Sequence, residues 1–255
     1  MITVHPKQRR AAFRRLWILI VIALGTGVLG TVLLRVLRNA LEKKDANLLS
    51  GVLLLNVGFL YLALVICVIA AGFILLNRFY KSKFTDEGYL TFTLPARGWQ
   101  IFLASLVNAL AWMVIVLLAA FTAVFLMVYF GVGDLLESIA DIHIKFNGEQ
   151  AAEPLETLSS IVSFVSGFTL ALTSITVGAT VAKKHKLLAA VGIGYGISLV
   201  QNTLTTIVSL SIVMEATTIT EIRNAYLLEI VMDAAFAAIG FFLSAYLMDK
   251  KLNLP

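Results

Sequence analysis

Six uninterrupted apolar runs, each long enough to cross a lipid bilayer as a helix, constrain this 255-residue chain more than any other feature. They occupy approximately 16–34, 52–76, 101–130, 158–182, 187–213 and 227–248. A hydrocarbon layer of ~30 Å takes about 20 helical residues at 1.5 Å each. The runs are continuous and lack period-two alternation, which excludes the strands of a lipid-facing barrel and leaves the helix. The third run exceeds what a perpendicular crossing needs, so it predicts tilt or helix beyond the bilayer. Hydrophobic residues make up 60% of the chain and charged residues only 14%, clustered between the runs. A soluble core of this size has no room for so much apolar surface. The expected fold is an all-α polytopic membrane protein with six transmembrane helices, forming a single transmembrane domain over 1–255.

The first run is too long for the 7–15-residue apolar region of a secretory signal, and Arg35 and Arg38 follow it in place of a small-residue cleavage site. It is expected to be a retained span. Orientation follows from lysine and arginine. Fourteen of the 20 fall at the termini and in the even-numbered loops: Lys7, Arg9, Arg10, Arg14, Arg15, Arg78, Lys81, Lys83, Arg97, Lys183, Lys184, Lys186, Lys250 and Lys251. The odd-numbered loops hold six, Arg35, Arg38, Lys43, Lys44, Lys145 and Arg223. The positive-inside rule therefore predicts a multi-pass protein of the cell membrane with both termini cytoplasmic. This topology accounts for the net charge of +5 without a nucleic-acid partner. Arg9, Arg10, Arg14, Arg15 and Trp17 form a membrane-interface group, readable either as an amphipathic helix on the anionic inner leaflet or as an anchor for the first span.

Motifs for chemistry are few. The chain has no G-x-x-x-x-G-K-[ST] nucleotide loop, no H-E-x-x-H and no G-x-S-x-G. His5, His143 and His185 are dispersed over a terminus and two loops, and Cys67 is alone in an apolar run, so neither a metal centre nor a disulfide framework is indicated. Gly192 and Gly196 make a small-x-x-x-small face suited to helix packing. Polar residues at membrane depth stand out, because an unpartnered charge there costs about 2.5–3.5 kcal/mol on insertion scales. Glu229 and Asp233 lie four residues apart on one face of the sixth run, with Asp233 roughly 9 Å inside its beginning. Together with Asn108, Ser163, Ser166, Gln201 and Asn202, they are the candidate lining of a substrate path. The competing reading is interhelical hydrogen bonding that fixes the bundle.

The segment between the second and third runs reads NRFYKSKFTDEGYLTFTLPARGWQ. Thr85 or Asp86 is placed to cap a short helix and Pro95 to end it. Phe84, Tyr89, Leu90, Phe92 and Leu94 would then project from the cytosolic face, where apolar side chains need a cover. The acidic pair Asp86 and Glu87 on an otherwise basic face favours a protein partner over lipid headgroups.

The stretch DEGYLTFTLP, from Asp86 to Pro95, resembles the loop after the second span in the ABC transporter type-2 permease family, where an acidic residue and Gly precede a hydrophobic stretch and Leu-Pro. The longer RFYKSKFTDEGYLTFTLP resembles a branch of that family common in Gram-positive bacteria. Ser105 stands where the family often carries a lysine. The resemblance implies that Phe84, Asp86, Glu87, Gly88, Tyr89, Leu90, Leu94 and Pro95 form a coupling helix docked on a separate ABC-type ATPase subunit. It implies that ATP and Mg are bound by that ATPase and that this chain has no cofactor of its own. It also implies a second permease subunit, identical or related. The expected function is that of a permease subunit of an exporter for an amphipathic substrate such as a peptide, antibiotic or lipid; the chain itself is not expected to be an enzyme. Two alternatives stay open: a non-transporting membrane partner, such as a peptide-immunity or sensor-assembly protein, and an intramembrane enzyme using Glu229 and Asp233.

Overall fold

Proline placement permits very long helices here. Pro6 opens the first helix and Pro154 sits in the first turn of the fourth, positions where a missing N–H breaks no intrahelical bond. The other two prolines, Pro95 and Pro255, lie outside the described residues. The computed structural model describes residues 6–42, 47–85, 97–140, 153–182, 184–213 and 219–250. Among the described residues there are six α-helices and no strand: α1 (Pro6–Glu42), α2 (Asn47–Phe84), α3 (Gly98–Ala140), α4 (Glu153–Val181), α5 (Lys186–Val213) and α6 (Ile219–Lys250). Each contains a stretch long and apolar enough to cross a membrane.

The helices outrun the apolar cores from which they were predicted. α1 incorporates the basic segment from Pro6 to Arg15 without a break, so this segment and the first span form one helix. α2 continues to Phe84, carrying Lys81 and Lys83 in its last turn, where cations oppose the negative end of the helix dipole. Thr85 is the last described residue before the loop, so whether it caps a further helix lies outside the described residues. Its hydroxyl donates back to the Lys81 carbonyl and closes α2. The remainder of the expected coupling helix, Asp86, Glu87, Gly88, Tyr89, Leu90, Leu94 and Pro95, lies outside the described residues.

The chain forms two compact bodies. The first comprises Met1–Leu75 and Ala111–Lys145, and α1 and the later part of α3 pack in parallel within it. Ala23, Leu64, Ala123 and Met127 are buried together there, flanked by Leu34, Val57, Ala120 and Val124. Close approach depends on Gly27 and Gly30. A Cβ on Gly27 would stand 2.7 Å from the Ala123 Cα, and one on Gly30 would meet the Met127 side chain. The approach lets Thr31 Oγ1 donate to two carbonyls, Gly27 at 2.9 Å in its own helix and Leu126 at 3.1 Å in α3. Farther along, Arg35 Nε donates to the Phe130 carbonyl at 2.8 Å.

The second body comprises Leu76–Leu110 and Phe146–Pro255 and contains the end of α2, the start of α3, and all of α4, α5 and α6. α4 is the most buried of the six helices and α5 the least. α4 runs antiparallel to α5 and parallel to α6, with small residues at each crossing. A Cβ on Gly178 would lie 2.6 Å from the Ala190 Cα, one on Gly194 2.9 Å from Ser174 Oγ, and one on Gly240 2.9 Å from Thr173 Oγ1. In membranes, where lipid tails compete for apolar contact, backbone proximity of this kind supplies much of the association.

Candidate functional site

The site lies at the level where α4 places two polar side chains, and α5 and α6 one each, toward one another. Asp233 of α6 is 97% buried in the helix interior. One carboxylate oxygen accepts the hydroxyl proton of Ser163 from α4. The other accepts Nε2–H of Gln201 from α5 at 2.8 Å. The same nitrogen stands 3.3 Å from Ser166 Oγ, which is fully buried on α4 one turn beyond Ser163. Three helices thus meet in one hydrogen-bonded unit of Ser163, Ser166, Gln201 and Asp233.

The register of the helices brings this about. Ser163 follows the start of the α4 apolar stretch at Pro154 by about 14 Å, Asp233 follows that of α6 at Arg223 by about 15 Å, and Gln201 precedes the end of that in α5 at Val208 by about 11 Å, at 1.5 Å per residue. All three depths are well inside the apolar layer. Both Asp233 partners are neutral donors, so the carboxyl is satisfied by hydrogen bonds alone. Among the described residues, no group of three or more His, Cys, Asp or Glu is placed to hold a metal ion.

Of the seven residues expected to line a path, four form this unit. The other three stand apart. Asn202 follows Gln201 by one residue, a rotation of about 100° on the helix, and faces outward. Asn108 is exposed on α3. Glu229 lies one turn before Asp233 on α6, half-buried and outside the hydrogen-bonded unit. Of the interface group, Arg14, Arg15 and Trp17 are exposed and Arg9 and Arg10 belong to the first turns of α1.

The many other α4 hydroxyls do not line a polar path. Ser159 and Ser160 both donate to the Glu156 carbonyl, Thr169 to Val165, and Thr176 to Leu172, so each closes a bond within its own helix. Thr173 combines both habits. It donates to Thr169 O at 2.8 Å and accepts from Ser244 Oγ of α6 at 3.0 Å, a second buried α4–α6 tie.

No family model, curated protein or solved structure matches the chain.

A further group of contacts gathers at the opposite end of this body, around the stems of the loop between α2 and α3. Phe84 is buried, with its ring 5.9 Å from that of Phe79 and 6.2 Å from that of Tyr80. Phe79 meets Phe102 of α3 edge-on at 6.1 Å, and Phe102 meets Phe241 of α6 at 5.5 Å. On the other stem, the Gly98 N–H donates to Asp249 Oδ1 of α6 at 2.5 Å. Sequence reasoning singled out Phe84 in this group and missed Phe79, Gly98, Phe102, Phe241 and Asp249. One signal was available: Asp249 is the single acid in the basic end MDKK of the last span.

Proposed function

We propose that this chain is the permease subunit of an ABC-type exporter and moves an amphipathic substrate at the expense of ATP hydrolysed by a separate ATPase subunit. The segment from Phe84 to Pro95 docks on that ATPase, with Asp86, Glu87, Gly88 and Tyr89 at the contact. ATP and Mg belong to the partner. A second permease subunit, identical or related, completes the assembly in the cell membrane, with both termini in the cytoplasm.

One observation supports this reading beyond the DEGYLTFTLP motif. Both stems of the docking loop are fastened to the body that carries the buried Asp233 unit: Phe84 through the aromatic series Phe79, Phe102 and Phe241, and Gly98 through Asp249. A loop that receives mechanical work needs stems that do not yield. The half-buried Glu229 and the buried Asp233 supply the polar groups a substrate would meet in α6.

The test is isolation of the native complex in mild detergent with identification of every subunit. An ATPase with Walker motifs is expected to co-purify, and Glu87→Lys or Gly88→Pro is expected to release it. An isolated chain with no ATPase would refute the proposal. So would labelling of residues 84–95 from outside the cell, because the loop would then face the wrong compartment.

A further inference from the structure

The start of α3 has an incomplete cap of its own, and another helix completes it. Arg97 occupies the cap position: its carbonyl accepts from the N–H groups of Gln100 at 3.0 Å and Ile101 at 3.2 Å. Gln100, three residues on, returns its side-chain oxygen to the Arg97 N–H at 3.3 Å, which is one half of a capping box. The other half requires an acceptor on the cap side chain, and an arginine has none. Asp249, 151 residues away at the end of α6, supplies the acceptor by taking the Gly98 N–H. Its negative charge also faces the positive end of the α3 dipole. A side chain here would crowd the contact, because a Cβ on residue 98 would stand 2.7 Å from Asp249 Oδ1 and 2.8 Å from the Ala245 carbonyl oxygen.

What α6 carries near its middle gives this cap a consequence. From Asp249 back to Asp233 is about 24 Å of helix at 1.5 Å per residue. No proline interrupts it, and its single glycine, Gly240, is held against Thr173 and Leu170 of α4. Kinks need a proline, a glycine–serine pair, a π-bulge or an inserted group. A displacement applied at Gly98 therefore reaches Asp233 along one unbroken element.

We propose that Asp249 is a positioning residue through which the loop between α2 and α3 moves α6, so that nucleotide-driven displacement of the loop opens the Ser163–Gln201–Asp233 unit. The inference rests on the permease reading given above. The transmitting contact is the Gly98 N–H to Asp249 carboxylate bond, reinforced one turn away by Phe102 against Phe241.

The experiment uses the full complex with its ATPase in lipid nanodiscs. Backbone hydrogen exchange is followed in peptides covering 160–168, 198–205 and 229–237, with and without ATP and orthovanadate. The unsubstituted complex is expected to gain exchange in all three peptides when the ATPases close. Asp249→Ala is expected to reduce that gain about tenfold, the equilibrium equivalent of one hydrogen bond to a charged group, while the ATPase still co-purifies. Asp249→Asn keeps an acceptor oxygen and is expected to retain the response. Gly98→Ala keeps the carboxylate but displaces it from the α3 N–H, so it provides the same perturbation from the α3 side should Asp249→Ala fold poorly. A full nucleotide response in both Asp249→Ala and Gly98→Ala would overturn the inference alone. Failure to find any ATPase partner would overturn the permease reading and the inference with it.

Discussion

Replacing Gln201 by Leu tests whether the Asp233 unit holds three helices together. A carboxylate at this depth costs about 2.5–3.5 kcal/mol on insertion scales. Interhelical hydrogen bonds in membranes contribute about 0.6 kcal/mol on average and up to about 1.7. Asp233 receives two such bonds, from Ser163 and Gln201, and at the upper end of that range they nearly cancel the cost. Gln201→Leu removes one of them and leaves the charge in place, so a loss of about 1–2 kcal/mol is expected. In the Asp233→Leu background Gln201 keeps only its longer contact to Ser166 Oγ at 3.3 Å, so the same substitution should cost much less. The double-mutant cycle should therefore show a coupling of about 1–2 kcal/mol. The measurement is reversible unfolding in mixed micelles, titrated with a denaturing detergent and read by far-ultraviolet circular dichroism. Tryptophan fluorescence is unsuitable, because Trp17, Trp99 and Trp112 all lie outside α4, α5 and α6. Additive losses within about 0.5 kcal/mol would refute the reasoning. Asp233 would then be a charge that its neighbours do not stabilise.

Other outcomes follow from the same contacts. Asp233→Asn, which keeps the shape and one acceptor, is expected to abolish substrate efflux while the complex still assembles; unchanged efflux, measured in cells, would assign the unit to packing alone. Gly178→Leu forces apart α4 and α5, whose backbones approach there to 2.6 Å of a would-be Cβ, and should cost about 1–3 kcal/mol in the same unfolding assay. Gly30→Leu should weaken the first body by a similar amount through its collision with Met127. Thr176→Val should change stability by less than about 1 kcal/mol, because its hydroxyl serves only the Leu172 carbonyl of its own helix.

The helices were legible in the sequence because hydropathy reports directly on the solvent a segment requires. All six apolar runs became helices. Their ends were less legible. The apolar core of α2 stops near residue 76, yet the helix continues to Phe84, since Asn77, Arg78, Lys81 and Lys83 are adequate helix formers that leave the hydrocarbon without leaving the helix. Ser163, Ser166, Gln201 and Asp233 were recoverable because membrane depth makes every polar residue conspicuous. Asn202 illustrates the limit: sequence places it beside Gln201, and only the rotation of α5 shows that the two face different ways. The Asp249–Gly98 pairing was not legible, because no local rule links residues 151 positions apart. Half of its cause could be read, in Gln100 three residues after a cap position that lacks an acceptor.

The hydroxyls of α4 have a mechanical consequence. A threonine that returns its proton to its own backbone shows its neighbours a methyl group, much as valine does, and holds nothing across the gap. Along such a surface the grip on α5 and α6 comes from close backbone packing at Gly178, Gly194 and Gly240 rather than from hydrogen bonds. Two polar ties add to that packing, Thr173 with Ser244 and the aspartate level above it, and they fix the register of α4 by directed bonds.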